Sequence, residues 1–431
     1  MKFFSVTNNN ETCHKVITIC GVYFKIKSNQ LEYRKKIKNL EKNLESIKEN
    51  FKSLKENYSV LDSNFNKLKN SFAETYSIKF IAAPTREKSV LLIEPNFGHD
   101  EVLPGIAKYF IDLGYNVDIL MSFSNIPLQV FTRFQSSKIR IFEITFDALI
   151  EILTNKKINN YDFIYFNSDR IYSEKIWNTA LIDKMNLPSN KILQMCHHID
   201  EISNFDKFNV TTLKLANLAP KGSEKSLIVN SHYFGEFETN KKNDKINFII
   251  VGNIQDFRKN FNLLIDSVNT IIERGFSNFK ITLVSRLGSL EDIPTSIRKY
   301  FDLKGFLPFP EMYNEMEKAD FFLPLLDPEC EAHNRYVTTG TSGSFQLIYG
   351  FLKPCIINSK FASIPGFDNQ NSIIYDKNEE LADKMIEAIN MSEENYNEMR
   401  NKLKELANNI YQESLDNLRK ILKSAEGKNN E

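Results

Sequence analysis

The chain has 431 residues, 42% hydrophobic and 26% charged, a length sufficient for roughly two to three domains each burying its own core. Lys+Arg and Asp+Glu number 55 each, so no global field draws the protein to nucleic acid or acidic lipid, and any such attraction is local. Apolar runs such as 248–251 and 321–323 fall far short of the ~20 residues a membrane-spanning helix needs. Cys13, Cys20, Cys196, Cys330 and Cys355 are scattered without C-x-x-C spacing, which argues against a disulfide framework and a zinc knuckle and for a reducing compartment. Polar residues from Thr7 to Thr12 break any signal-peptide core after Phe3 and Phe4, so a cytoplasmic location is expected.

In residues 1–29, the runs 16–19 and 22–27 flank Gly21 and predict short strands joined by a turn. Lys15, Lys25 and Lys27 beside apolar residues suit either peripheral contact with an anionic membrane surface or a small hairpin capping a helix bundle. Residues 30–80 carry a heptad array. Ile37, Leu40, Leu44, Ile47, Phe51, Leu54, Tyr58, Leu61, Phe65, Leu68 and Phe72 step by three and four without a break. No Gly or Pro falls between Gln30 and Ala83, and a helix over 31–72 would be ~60 Å long. Its apolar seam must pair with itself or fold back on the body, and self-association is the expectation. Oligomer number stays open, because Phe and Tyr at a positions are too bulky for the tightest two-stranded packing.

The remainder alternates strands and helices in two blocks. Residues 89–94, 102–113 and 116–121 form a strand-helix-strand unit, and further strands are expected at 139–144, 163–167, 191–196 and 226–229. This first block spans 86–237, and a polar stretch at 238–245 reads as a linker. The second block, 245–391, opens with strand 246–251, helix 263–272 and strand 279–285, followed by strands at 321–325 and 354–357 around a helix at 344–351. Residues 392–431 read as a C-terminal helix. The expected class is α/β, two Rossmann-like domains behind a coiled-coil helix, with ligand at the strand carboxyl ends between the domains.

The second block resembles the nucleotide-binding domain of sugar-nucleotide-dependent glycosyltransferases with the GT-B fold. The resemblance rests on Ile249 to Asn253, Arg258-Lys259-Asn260, Leu263 to Ser267, Phe301 to Phe306, Met312 to Pro324, and Thr339 to Ser344 leading into Gly350 to Pro354. It spans about residues 88–390 and is weaker in the first block. It implies that Arg258 and Lys259, with Asn253 and the loop Thr341, Ser342, Gly343, Ser344, hold a donor diphosphate, and that the backbone near Gly305 and Phe306 meets the nucleobase. The family's acidic pair is missing, since Thr339 and Leu347 stand at its positions; Glu331 or Glu329 just upstream is a substitute contact to the sugar, or part of an exposed charged loop. His333 and Arg335 are further candidates to reach phosphate.

The loop's own chemistry agrees. Thr341, Ser342 and Ser344 surround Gly343 just before an apolar helix, so backbone N–H groups and hydroxyls face a helix N-terminus that favours phosphate; a plain N-cap is the competing reading. In the first block, Asn96 to Glu101 follows a strand and resembles the Gly-His segment of inverting family members. His99 beside Asp100 is the candidate base for an acceptor hydroxyl. His197 and His198 follow the strand ending at Cys196, and of these two at most one is expected to contact donor or acceptor, with His198 assigned as the catalytic candidate. No Asp-x-Asp, Gly-x-x-x-x-Gly-Lys-Ser/Thr or Gly-x-Gly-x-x-Gly after the first strand occurs, so neither a manganese, ATP nor NAD site is expected, and no nucleic-acid surface is evident. The expected activity is metal-independent transfer from a nucleoside-diphosphate sugar to a glycan, lipid-linked or protein acceptor. A sugar-nucleotide epimerase of the same fold and a non-catalytic coiled-coil assembly protein are the rivals.

Overall fold

The computed structural model describes residues 4–9, 14–19, 22–27, 29–218, 226–238, 243–254, 259–285 and 293–427. The chain divides into two units, Met1–Phe72 and Ala73–Glu431. In the first, β1 (Phe4–Asn9), β2 (His14–Ile19) and β3 (Val22–Lys27) form an antiparallel sheet in the order β1-β2-β3. Ile17 pairs with both Val6 and Phe24, and Ile19 with Val22, so apolar side chains collect on one face. The sequence reading missed β1 because its other face carries Ser5 and Thr7, which read as a polar break rather than as the second face of an edge strand.

The helix α1 (Asn29–Ala82) runs for 54 residues and crosses the boundary between the units. Within the single chain its heptad seam stands in solvent: Leu40 is 66% exposed, Ile47 62% and Leu54 67%. The side chains of Phe65, Leu68 and Phe72 lie outside the described residues. The last turns belong to the second unit, where Phe80 is fully buried against Phe142 and Tyr161. Lys157 donates to the carbonyls of Phe80, Ile81 and Ala83, capping the negative end of the helix dipole. No described helix is long and apolar enough to cross a membrane.

The second unit holds two parallel sheets. The first lobe comprises β4 (Ser89–Glu94), α2 (Leu103–Asp112), β5 (Asn116–Ser122), β6 (Ile139–Ile144), α3 (Phe146–Thr154), β7 (Phe163–Phe166), the small hairpin β8 (Arg170–Ile171) and β9 (Ile176–Trp177), α4 (Thr179–Ile182), β10 (Ile192–Cys196), β11 (Thr211–Lys214) and β12 (Leu227–Ile228). Its seven-stranded sheet has the order β12-β11-β10-β7-β4-β5-β6. The central strands are apolar on both faces, as a helix-covered parallel sheet requires: Val90, Leu91, Leu92 and Ile93 are all fully buried. Strand order reverses between β4 and β7, which opens a crevice at their carboxyl ends.

Asp118 on β5 is fully buried, yet its carboxylate receives Arg86 at 2.7 Å, Arg140 at 2.6 Å and the Tyr161 hydroxyl at 2.6 Å. Burial pushes its pKa up, but these partners prevail and hold it below the usual value. Asp118→Ala strands both guanidinium groups and is expected to lower unfolding free energy by about 3–5 kcal/mol in urea titration. The cluster's contribution in the wild type is present above the unfolded pKa near 3.8 and disappears as pH falls through the lower folded value.

The second lobe comprises β13 (Ile246–Val251), α5 (Phe261–Glu273), β14 (Phe279–Val284), β15 (Phe301–Leu303), α6 (Phe309–Lys318), β16 (Phe321–Phe322), α7 (Arg335–Thr338), α8 (Gly343–Phe351), β17 (Ile356–Asn358), α9 (Ser359–Ala362), β18 (Ile373–Tyr375) and α10 (Leu381–Asn390). Its sheet order is β15-β14-β13-β16, and a parallel bridge from Phe322 to Cys355 leads on to β17 and β18. The reversal falls between β13 and β16. The final helix, α11 (Glu393–Gly427), buries Tyr396 and Met399 in the core of this lobe and Leu415, Leu418 and Leu422 in the core of the first, strapping the two together.

Candidate active site

Both switch points carry the polar residues that the parallel strands push to their ends. After β13, Gly252 turns the chain at φ 103°, and Lys259 returns to lie across the turn, only 8% exposed. Its ammonium donates to the Pro324 carbonyl at 2.9 Å and to Ser344 Oγ at 3.4 Å. Ser342 is the N-cap of α8, its side chain accepting from the Ser344 N–H, and Gly343 stands exposed at the first helical position. A buried cation therefore sits beside the positive end of a helix dipole, where an anion is favoured. Burial lowers the Lys259 pKa to about 8. Beside it lies a cavity of about 380 Å³ lined by Lys259, Asn260, Asp327, Cys330 and His333. Asn260 caps α5 and donates to Asp327 at 2.7 Å, which fixes this wall.

At the first lobe's switch point, His99 adopts a left-handed conformation, φ 63°, just before α2, which turns its ring toward the loop after β7. Its Nδ1 lies 3.1 Å from Ser168 Oγ, and Ser168 donates to Glu94 Oε2 at 2.5 Å. Glu94, fully buried, also accepts from Asn167 at 2.8 Å and from the backbone and side chain of Asn96 at 2.9 Å each. Burial raises Glu94 to about 7 against the pull of these donors. Burial and the nearby His198 and Arg335 lower His99 to about 4, so its imidazole is neutral at physiological pH.

The sequence reading paired His99 with Asp100, and the structure corrects this. The Asp100 side chain turns inward, 2% exposed with Oδ2 unpaired, and burial with the charges of Glu101 and Glu94 raises it to about 8. The partner of His99 is the Ser168–Glu94 pair. The histidine doublet also differs from expectation, because the strand ends at Cys196 and its alternation no longer applies. The ring of His197 stacks on His99 at 3.9 Å between centroids, with its Nε2 2.7 Å from the Asn167 carbonyl. His198 instead meets the other lobe through its backbone, bridging to Gly340, and the Ile199 N–H donates to the Thr339 carbonyl at 2.9 Å.

These contacts bring the lobes' switch points together. A Cβ on Gly343 would stand 3.9 Å from Glu101 Oε1, and one on Gly340 would stand 3.5 Å from the His197 carbonyl oxygen, so the α8 loop lies against the first lobe's loops. Thr341 is half-buried in that loop. Gly305, at φ 69°, and Phe306, 50% exposed, follow β15 at the carboxyl edge, and Asn253 is exposed after Gly252. Glu331 and Glu329 are exposed on the loop after β16; His333 is buried and uses Nδ1 to accept from the Asp327 N–H at 2.8 Å. Arg258 lies outside the described residues. Among the described residues no group of three His, Cys, Asp or Glu side chains is placed to hold a metal ion.

Sequence reasoning missed Glu94, Glu101 and Ser168, and of the histidine doublet it assigned His198 where the ring that stacks on His99 is that of His197. Glu94 carried a signal, a lone carboxylate closing an otherwise apolar buried strand. Ser168 carried none, since its role depends on β7 lying beside β4, a pairing between residues more than seventy positions apart.

Two parallel-sheet lobes that meet at their switch points, strapped by a returning C-terminal helix, constitute the GT-B fold of glycosyltransferases. Solved structures similar to the chain include a glycosyltransferase from Rickettsia africae ESF-5 and TarM. Each aligns at a TM-score of 0.51 and 11% identity over 79% of this chain and 99% of that one. A Staphylococcus aureus TarM variant in complex with fondaparinux, alpha-GlcNAc-glycerol and UDP aligns equally well, over 78% and 100%. No family model matches the sequence, and no curated protein is significantly similar to it.

Proposed function

We propose that the protein is a glycosyltransferase that moves a sugar from a nucleoside-diphosphate donor to a hydroxyl acceptor. The observation that carries this reading is Lys259, a buried ammonium whose hydrogen bonds among the described residues go to a carbonyl and a hydroxyl, held at the N-terminus of α8 beside an open cavity. Such an arrangement suits the negative charge that builds on a diphosphate as the glycosidic bond breaks. In the first lobe, His99 takes the acceptor proton on Nε2 while Nδ1–H donates to Ser168, and the Ser168 hydroxyl links the developing positive charge to the Glu94 carboxylate. The acceptor oxygen then attacks the anomeric carbon, and the diphosphate departs toward Lys259 and α8. This is the inverting course. The charge on the leaving group is offset by Lys259 and the helix end, so turnover is proposed to need no metal.

The reading draws on the fold shared with structures such as the TarM variant, which was crystallised with UDP and sugars. The test is a calorimetric and turnover screen of the full chain over UDP-, GDP- and dTDP-sugars. Binding and release of nucleoside diphosphate with transfer support it; isomerised sugar nucleotide without acceptor points to the epimerase, and no binding sinks the enzymatic reading. The exposed seam of α1 carries a second element of the proposal, self-association through residues 31–72. The double substitution Leu40→Asp with Leu54→Asp places two charges on that seam, and light scattering should then read a monomer where the wild type reads an oligomer.

A further inference from the structure

From Ala73 onward, the large apolar side chains that stand exposed among the described residues are Ile78, Phe97, Phe123, Ile141, Tyr172 and Phe306. The aromatic ones share a location: Phe97 follows β4, Phe123 follows β5, Tyr172 lies in the excursion after β7, and Phe306 follows β15. In the first lobe the rings are 58%, 53% and 41% exposed for Phe97, Phe123 and Tyr172, on loops leaving three adjacent strands. At ~4.8 Å per strand the roots of these loops span ~10 Å, the length of a disaccharide.

The loops are locked to one another by buried amides. Asn125, fully buried, donates to the Asn96 carbonyl at 2.7 Å. Asn96, 4% exposed, donates to the Arg170 carbonyl at 2.9 Å and accepts from the Tyr172 N–H at 2.8 Å. Rings held out in water on a rigid frame cost hydration without contributing to the core, and such patches mark binding surfaces. Tyr172 also packs edge-on to His99, with centroids 5.8 Å apart, so the row begins at the proposed base. Polar groups alternate with the rings: the Arg170 guanidinium lies 4.1 Å over Trp177 and pairs with Glu201 at 2.5 Å.

We propose that Phe97, Tyr172 and Phe123 form a platform for a neutral oligosaccharide acceptor, whose C–H faces stack on the rings while carboxylates accept its hydroxyls. This rests on the glycosyl-transfer reading above. A neutral sugar fits better than a polyphosphate or an anionic lipid, because Arg170, a cation on these loops, is already paired with Glu201 and leaves no free guanidinium beside the rings. A peptide groove would present aliphatic side chains, and the exposed aliphatic residues Ile78 and Ile141 lie on α1 and β6, away from these loops.

The test titrates the full chain with chitotriose, cellotriose and maltotriose, following the emission of Trp177, the single tryptophan, beside Arg170. UDP affinity is measured in parallel by calorimetry. At least one trisaccharide should bind at millimolar concentration or below. Phe97→Ala and Tyr172→Ala should each weaken it by about five- to tenfold, whereas Tyr172→Phe, which keeps the ring, should stay within about twofold. UDP affinity should be the same in all variants. Sugar binding indifferent to both alanine substitutions overturns the platform, as does the absence of any trisaccharide binding, or ring-dependent binding of polyglycerol phosphate or phosphatidylserine vesicles instead. Ring-dependent sugar binding by a chain that ignores every nucleoside diphosphate would sink the transferase reading and leave the platform standing.

Discussion

Lys259→Met should lower kcat/KM for the donor by about 10²- to 10³-fold while making the protein more stable. The activity loss follows from removing the buried charge proposed to face the diphosphate, a change worth roughly 2–5 kcal/mol when the partner is desolvated. The stability gain has a separate origin. Lys259 is held folded with a pKa of about 8 rather than 10.5, so burying its charged form costs about 3 kcal/mol, which methionine of similar shape does not incur. The sign can be checked with pH. Below about 8 the wild type carries the full cost; between 8 and 10.5 the folded lysine is neutral while the unfolded one is still charged, so the cost fades and wild-type stability approaches that of the variant. Thermal melts across that interval read the convergence. A variant that melts below the wild type at pH 7, or that binds UDP as tightly, contradicts the placement of Lys259 in the donor site.

His99→Ala should lower kcat by about 10²- to 10⁴-fold with donor affinity little changed, as expected for a general base. The pH dependence is the more telling measurement. His99 titrates at about 4, so its own ionisation leaves no mark near neutrality. Glu94, raised to about 7, must be ionised to accept from Ser168 and support the imidazolium, so kcat/KM should rise through about pH 7. It should fall again above about 8 as Lys259 loses its proton. Ser168→Ala cuts the relay and should cost about 10- to 100-fold, the worth of hydrogen bonds to a charged group, and remove the limb near 7. A limb that persists in Ser168→Ala belongs to another group and refutes the relay.

Much of the fold was legible because its strands are buried on both faces. Ser89–Glu94, Ile246–Val251 and Phe279–Val284 read as continuous apolar runs, and glycines at 114 and 275 ended the helices between them. β1 and β11 escaped notice because a half-exposed or short strand mixes Thr, Asn and Lys into its pattern, which is also what a loop contains. On the site, the α8 loop and Lys259 were readable as composition at strand ends. The relay was not, because a local reading assigns His99 its nearest acidic neighbour, Asp100, whereas a left-handed backbone at His99 turns the ring toward the neighbouring strand's loop and buries Asp100 beneath it.

By itself, then, the sequence determined the class of architecture, two parallel-sheet lobes behind a long amphipathic helix, because hydrophobic periodicity is a property of neighbours along the chain. It also determined which residue types arrive at the strand carboxyl ends. Only the tertiary structure decided which of them meet: β4 lying beside β7 brings Glu94, Ser168 and His99 into line, and β13 lying beside β16 swings Lys259 onto α8. Strand order is set by how whole layers pack, over separations far longer than any local pattern encodes, and the chemistry of the cleft follows from that order.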